Sequence, residues 1–346
     1  MINIFDLTPD EAAGEIERIG LLPYKARQVS EWLYKKKIPD FSRMTNISKS
    51  DAMKLGSVFT TDIPSVEKTL ESTDGTIKYL FRLSDGNMIE SVLMKYSYGY
   101  SLCISSQAGC RMNCSFCASG KDGLARNLAT GEMTGQIIAS EIRSGIRISR
   151  IVVMGTGEPF DNYDNLLRFL DTAADPKGLG IGQRRITVST CGLVPGIIRF
   201  ADYGSQVNLA ISLHETEDES RSRIMPVNKK YPIVEVLKAC RYYIEKTNRR
   251  ISFEYALIPG VNDSPAKALE LARLLKGMLC YVNIIPVNLI EGVEYKGNPG
   301  KNAAVFYDIL GKNGIHVTVR RELGGDIEAA CGQLRRSHAD EIRRRD

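Results

Sequence analysis

Histidine is scarce in this chain of 346 residues: His214, His316 and His338 are the whole set, and none is close to the densest run of cysteines. No apolar run is long enough to cross a bilayer, which takes about 20 residues. The opening Met-Ile-Asn-Ile-Phe-Asp-Leu-Thr lacks the basic and then apolar pattern of a secretory signal. Eight cysteines without that pattern predict a reducing compartment, the cytoplasm, where thiols serve metals or catalysis before structural disulfides. At 43% hydrophobic and 25% charged residues the chain is ordinary for a soluble globular protein, and its length suits one large domain plus a small one.

What is present is a cysteine loop, Gly109-Cys-Arg-Met-Asn-Cys-Ser-Phe-Cys117. Its spacing places Cys110, Cys114 and Cys117 where three thiolates can face one metal centre. Three ligands without an obvious fourth suit a 4Fe–4S cluster whose remaining iron is open to another molecule. Structural zinc needs a fourth Cys or His to close its tetrahedron, and the shortage of histidine weighs against it. A zinc knuckle and a set of unrelated thiols stay open as the blander readings.

Net charge is +5, and its distribution says more than its sum. Lys25, Arg27, Lys35, Lys36 and Lys37 are interleaved with Tyr24, Trp32 and Tyr34, while Arg335, Arg336, Arg343, Arg344 and Arg345 crowd the other end. Such groups can hold a phosphate backbone and stack on unpaired bases. They fit a solvated helical face and a frayed tail equally well.

Residues 1–40 read as helical, with one helix opening at Asp10-Glu11 and another placing Val29, Trp32 and Leu33 on one face. Residues 64–99 alternate apolar and polar about a hairpin turn at Ser84-Asp-Gly-Asn87. Together these suggest a small N-terminal module, residues 1–85, with the remainder, 86–346, as the main domain. Beyond it, short apolar runs recur at 100–104, 151–154, 186–189, 207–213, 251–258, 281–287 and 315–319. Helix-like stretches, such as 134–146, 163–173, 233–247 and 265–275, separate most of them. That alternation predicts six or seven parallel βα units, hence an α/β fold of (β/α) barrel or partial-barrel type with its site at the C-terminal strand ends.

Several polar residues fall at those ends. Gly155-Thr-Gly157-Glu158-Pro159 follows one strand; its glycines allow close approach of a ligand, and Glu158 can accept from an ammonium or ribose hydroxyl. Ser189, Ser212 with Leu213 and His214, and Asn288 close others. Each alone is as well explained as a turn or capping residue. Cys191, Cys240 and Cys280 read as buried packing residues.

The cysteine loop, with Phe116 before its last thiol, resembles the signature of radical S-adenosylmethionine (SAM) enzymes, and Gly155–Pro159 resembles their methionine-amine motif. Within them the chain is similar to the bacterial dual-specificity rRNA/tRNA adenine-C2 methyltransferases. The likeness is carried by Cys103-Ile-Ser-Ser-Gln-Ala-Gly-Cys110, Met154-Gly-Thr-Gly-Glu-Pro-Phe160, Ile211-Ser-Leu-His214, Arg223-Ile-Met-Pro-Val-Asn228 and Ala330-Cys-Gly-Gln-Leu-Arg335. Thr156 stands where Met is commoner.

The resemblance implies a partial (β/α)6 barrel, with residues 1–85 as an RNA-binding accessory domain and a C-terminal catalytic-cysteine loop with a basic tail. It also implies one 4Fe–4S cluster on Cys110, Cys114 and Cys117, and two SAM molecules per turnover. Gly157, Glu158, Ser189, Ser212, Leu213, His214 and Asn288 are the implied cofactor contacts. Adenine C2 is electrophilic, so polar methyl transfer to it fails and a radical route is required. In that route Cys331 takes a methyl group by displacement and, after hydrogen abstraction, delivers it to C2 as a methylene radical. Cys103 then attacks the Cys331 sulfur, releasing the base with formation of a disulfide. Glu90, thirteen residues before Cys103, matches the general base for the C2 proton. The implied partners are 23S rRNA, tRNA and an electron donor such as flavodoxin or ferredoxin, with no membrane and a monomeric protein. A related C8 methyltransferase conferring antibiotic resistance shares all five cysteines; Glu158-Pro159, Thr247–Arg250 and Arg320-Arg321-Glu322 look more like the C2 group. The rival from another class is a zinc-stabilised RNA-binding protein without catalysis, which leaves Cys103 and Cys331 without a role.

Overall fold

The structure, a computed structural model, describes residues 1–286, 299–321 and 323–327. Asn288, Cys331 and the arginines from 335 onward lie outside the described residues.

The chain begins with helices, as its periodicity predicts. Thr8 caps α1 (Pro9–Arg18) reciprocally: the Glu11 carboxylate accepts Thr8 N–H at 2.8 Å while the Thr8 hydroxyl accepts Glu11 N–H. α2 (Pro23–Ser30) continues into a wider helical turn at Glu31–Lys35, and α3 (Lys49–Val58) follows. Short strands β1 (Ile2–Asn3) and β2 (Phe59–Thr60) pair in parallel and tie the two ends of this segment together.

This packing corrects the basic–aromatic reading of the segment. Trp32 and Tyr34 are buried with Val29 and Leu33, so neither ring can stack on a base. The lysines are engaged as well. Lys25 pairs with Asp51 at 3.3 Å, Lys36 lies 3.8 Å above the Trp32 ring and Lys37 meets Glu141 at 2.7 Å. Lys35 Nζ donates to Gly178 O at 2.9 Å. The helical period that puts the aromatics inward makes them core, and Lys35 and Lys37 fasten the segment to the rest of the chain. Tyr24 and Arg27 remain exposed.

Next comes an antiparallel meander of β3 (Ser65–Glu71), β4 (Ile77–Arg82), β5 (Met88–Tyr96) and β6 (Gly99–Ile104). The Ser84–Asn87 turn forms as expected, with Gly86 at φ 86°. The boundary expected after residue 85 falls inside this turn, and β4 and β5 are hydrogen-bonded across it. Lys78–Phe81 are buried on both faces of β4, so the hairpin cannot detach from the main sheet without exposing them. A small ribbon of β7 (Gln107–Gly109) and β8 (Leu124–Asn127) then frames the cysteine loop.

The predicted βα alternation follows: α4 (Thr130–Ser144), β9 (Ile148–Val153), α5 (Tyr163–Ala174), β10 (Ile186–Thr190), α6 (Val194–Tyr203), β11 (Asn208–Ser212), α7 (Asp218–Ile224) and α8 (Ile233–Thr247). β12 (Ile251–Leu257), α9 (Pro265–Leu275), β13 (Cys280–Pro286), α10 (Pro299–Lys312) and β14 (Val317–Val319) complete it. The sheet order is β14-β13-β12-β11-β10-β9-β6-β5-β4-β3: seven parallel strands extended on one side by the meander. α4 starts at Thr130 and not at 134, because the Glu132 carboxylate accepts Ala129 N–H at 2.9 Å and holds the first turn. It stops at Gly145, whose φ of 69° ends a helix. No helix among the described residues is long and apolar enough to cross a membrane.

Candidate active site

The C-terminal ends of the parallel strands surround a cavity of about 380 Å³, a size that suits a nucleoside-sized ligand. All three loop cysteines line it, and Cys103 at the end of β6 lines it too. The loop is braced from two sides. Cys110 N–H donates to Gly123 O at 2.8 Å, and Ser115 N–H donates to Ile224 O at 2.9 Å, at the end of α7. Asn113 takes φ 52°, which turns the chain sharply between Cys110 and Cys114.

Burial pushes the Cys110 and Cys114 thiols up, Cys110 to about 12, with Cys117 adding further repulsion between anions. As thiolates they therefore need a cation, which a metal centre supplies. Among the described residues no three His, Cys, Asp or Glu groups converge on a single ion. The ligands of a cluster each bind a different iron, so three thiols that line one cavity suit a cluster.

The glycine-rich turn after β9 abuts the cluster loop. Gly157 has φ 112°, and a Cβ there would meet Gln107 Cβ at 2.6 Å, so glycine is required. Glu158 is buried and lines the cavity, with both carboxylate oxygens engaged by main-chain amides. Oε1 accepts Phe160 N–H at 3.0 Å and Oε2 accepts Cys191 N–H at 2.7 Å. Burial raises its pKa, and these amides act against that rise. Ser189 and Ser212 line the cavity, as does His214. Ala256 N–H donates to His214 Nδ1 at 2.9 Å, which leaves the ring proton on Nε2. Burial, helped by the Arg221 charge, lowers its pKa to about 3, so the imidazole is neutral. Leu213 does not line the cavity; its side chain is core, its N–H reaches Glu254 O and its carbonyl accepts from Arg221.

Glu90 is also buried, one β5 alternation below the cavity-lining Val92, and is ion-paired to Lys78 at 3.3 Å. Cys191 lines the cavity within the apolar cluster of Ile224 and Met225, its thiol raised by burial, and Cys240 is fully buried, so both fit the packing reading. Cys280 is half-buried.

Two residues that shape the site escaped the sequence reading. Glu254 lines the cavity and is bonded to Asn283 Nδ2 at 2.8 Å. The signal was a carboxylate inside a seven-residue strand buried throughout. Arg221 is completely buried, and its guanidinium binds Cys191 O (2.9 Å), Ser212 O (3.0 Å), Leu213 O (2.9 Å) and Asn228 Oδ1 (2.8 Å). It braces the ends of β10 and β11 against α7. Nothing in its local sequence distinguishes it from a surface helix arginine.

A partial barrel whose strand ends hold an open three-thiolate site beside a cofactor-sized cavity is the architecture of a radical SAM enzyme. Residues 104–272 match the radical SAM superfamily, and residues 2–60 match the ribosomal RNA large subunit methyltransferase N-terminal domain. A crystal structure of a radical SAM methyltransferase from Sphaerobacter thermophilus superposes with a TM-score of 0.92 at 44% identity, covering 96% of this chain and 99% of that one. The "Probable dual-specificity RNA methyltransferase RlmN" of Lachnoclostridium phytofermentans is 52% identical over 98% of this chain and 96% of its own length. The protein of the same name from Clostridium perfringens strain SM101 is 52% identical, over 98% of both chains. The chain belongs to the RlmN family of radical SAM dual-specificity RNA methyltransferases. A 4Fe–4S cluster and SAM are the cofactors of that superfamily, and the three-thiol wall and adjoining cavity fit them.

Proposed function

We propose that this protein methylates C2 of an adenosine in 23S rRNA, at the peptidyl transferase centre, and C2 of the adenosine 3′ of the anticodon in tRNAs. The observation that carries the thiol-borne methyl route is Cys103, a thiol outside the cluster motif that shares the cavity with Cys110, Cys114 and Cys117, while the choice of C2 over C8 rests on the family resemblance. A radical enzyme without a covalent methyl carrier has no use for a resolving thiol there. The family's full-length relatives, named dual-specificity RNA methyltransferases, support the same reading.

Cys110, Cys114 and Cys117 would hold the cluster, and the Gly157–Glu158 turn with Ser189, Ser212, His214 and Asn288 would hold SAM. When bound, these cofactors supply methyl groups and a carbon-centred radical, with two SAM molecules consumed per turnover and a flavodoxin or ferredoxin as electron source. The chain's own chemistry is carried by thiols. Cys331 acts as nucleophile and carries the methyl group as a thioether. Glu90, ion-paired to Lys78, takes the C2 proton. With the thioether carbon bonded to C2, the Cys103 thiolate attacks the Cys331 sulfur; an S–S bond forms, the Cys331 S–C bond breaks with its electron pair passing to that carbon, and the carbon takes up a proton as the methylated base departs. Residues 1–85 and the basic residues from 335 onward hold the RNA, and the enzyme works as a monomer in the cytoplasm.

Product analysis tests this. Anaerobically reconstituted protein given SAM, a low-potential reductant and rRNA should yield 2-methyladenosine by mass spectrometry. Recovery of 8-methyladenosine would replace the C2 assignment with C8. Cys103→Ala should accumulate a covalent protein–RNA adduct, and free methylated RNA from that variant would refute the disulfide step.

A further inference from the structure

Beyond β14 the chain crosses from one edge of the sheet to the other. Arg320 N–H still donates to Ile284 O at 2.8 Å, and Leu323 packs against the cluster of Val92, Met94 and Cys103. One residue later the chain meets the turn between β3 and β4, and there two carboxylates hold each other's main chains. Asp74 Oδ2 accepts Gly324 N–H at 2.8 Å, while its Oδ1 accepts Thr76 N–H at 2.8 Å. In return Asp326 Oδ1 accepts the Ser72 hydroxyl at 2.5 Å, and its Oδ2 accepts Thr73 N–H at 3.1 Å and the Thr73 hydroxyl at 3.3 Å. Gly324 is buried at φ 65°, a conformation disfavoured for a residue with a Cβ. β14 and β3 are the two edges of the ten-stranded sheet, so this clasp joins edge to edge.

We propose that Asp74 and Asp326 are positioning residues for Cys331, fixing the chain just ahead of that thiol beside the Cys103 side of the cavity. The inference rests on the reading of Cys331 as methyl carrier. Ile327 is the last residue of the clasped turn and Cys331 is four residues further on, a span of at most about 14 Å. With the clasp open, the anchor retreats to Leu323, packed beside Cys103 and eight residues from Cys331. Effective concentration falls as roughly the −3/2 power of tether length, so the encounter of Cys331 with a partner in the cavity slows about three-fold. Neither carboxylate touches the cavity, and both act through the chain they hold.

Asp326→Ala, Asp74→Ala and Asp326→Asn, which keeps one acceptor oxygen, test this in cluster-loaded protein. Three readouts serve: the single-turnover rate of Cys331 S-methylation by peptide mass spectrometry, the rate at which a short bismaleimide bridges Cys103 and Cys331, and the melting temperature. Both alanine variants should slow methylation and bridging about three-fold, with KM for SAM and melting temperature unchanged and Asp326→Asn closer to the parent. Parent-like rates in both, or losses that follow a fall in melting temperature, would overturn the proposal. Cys331→Ala, assayed in parallel, tests the carrier reading itself. If that variant still turns over, the carrier assignment fails, whereas the bridging rate still scores the clasp.

Discussion

Among single residues, the buried Lys78–Glu90 pair has the largest energetic consequence. Lys78 is fully buried, so replacing one partner takes the opposite charge away from the other, at a cost of about 3–5 kcal/mol, whereas replacing both with Met removes both charges. Lys78→Met should therefore lower unfolding free energy by that amount in urea titrations, and Lys78→Met/Glu90→Met should recover most of it. An undiminished double-mutant loss would mean the pair is not coupled. The sequence made Glu90 visible by its distance from Cys103, but it could not show Lys78, which is opposite Val92 on the neighbouring strand. That Cys110, Cys114 and Cys117 share one cavity was legible because a short loop places them by spacing alone. Contacts made across strands or helices, such as those of Arg221 and Glu254, depend on register and long-range packing, and no local pattern encodes them.

For the elements, α8 and α9 appear with the bounds their amphipathic period predicts. α6 was missed because it is short, begins Val194-Pro195 and contains Gly196, so its local signal reads as a turn. The same strand–helix junctions carry Arg221, whose four acceptors come from β10, β11 and the segment after α7. Arg221→Gln should leave buried carbonyls unpaired, each costing about 1–3 kcal/mol, and stability should drop by roughly 3 kcal/mol or more in chemical denaturation. Arg221→Lys should restore little of it, because an ammonium lacks the planar fork that spans three carbonyls. Full recovery with lysine would show that charge, and not geometry, is what the site requires.

For the molecule as a whole, the cluster loop couples metal loading to protons. Cys110 stays protonated well above neutral pH, since burial raises its pKa to about 12, and only the thiolate binds iron. Loading must displace protons, so cluster affinity in the apo-protein should rise as pH goes from 7 to 9, with measurable proton release on reconstitution. Loading that is independent of pH would contradict this. The edge-to-edge clasp adds an order in time. Its hydrogen bonds join residues 250 to 254 positions apart. More than two hundred residues separate Cys117 from Cys331, on the order of 10–40 s of ribosomal synthesis. The cluster loop is translated, and can fold, well before the second reactive thiol leaves the ribosome. The sequence order of the chain thus keeps Cys331 away from Cys103 until the three-cysteine loop has been made.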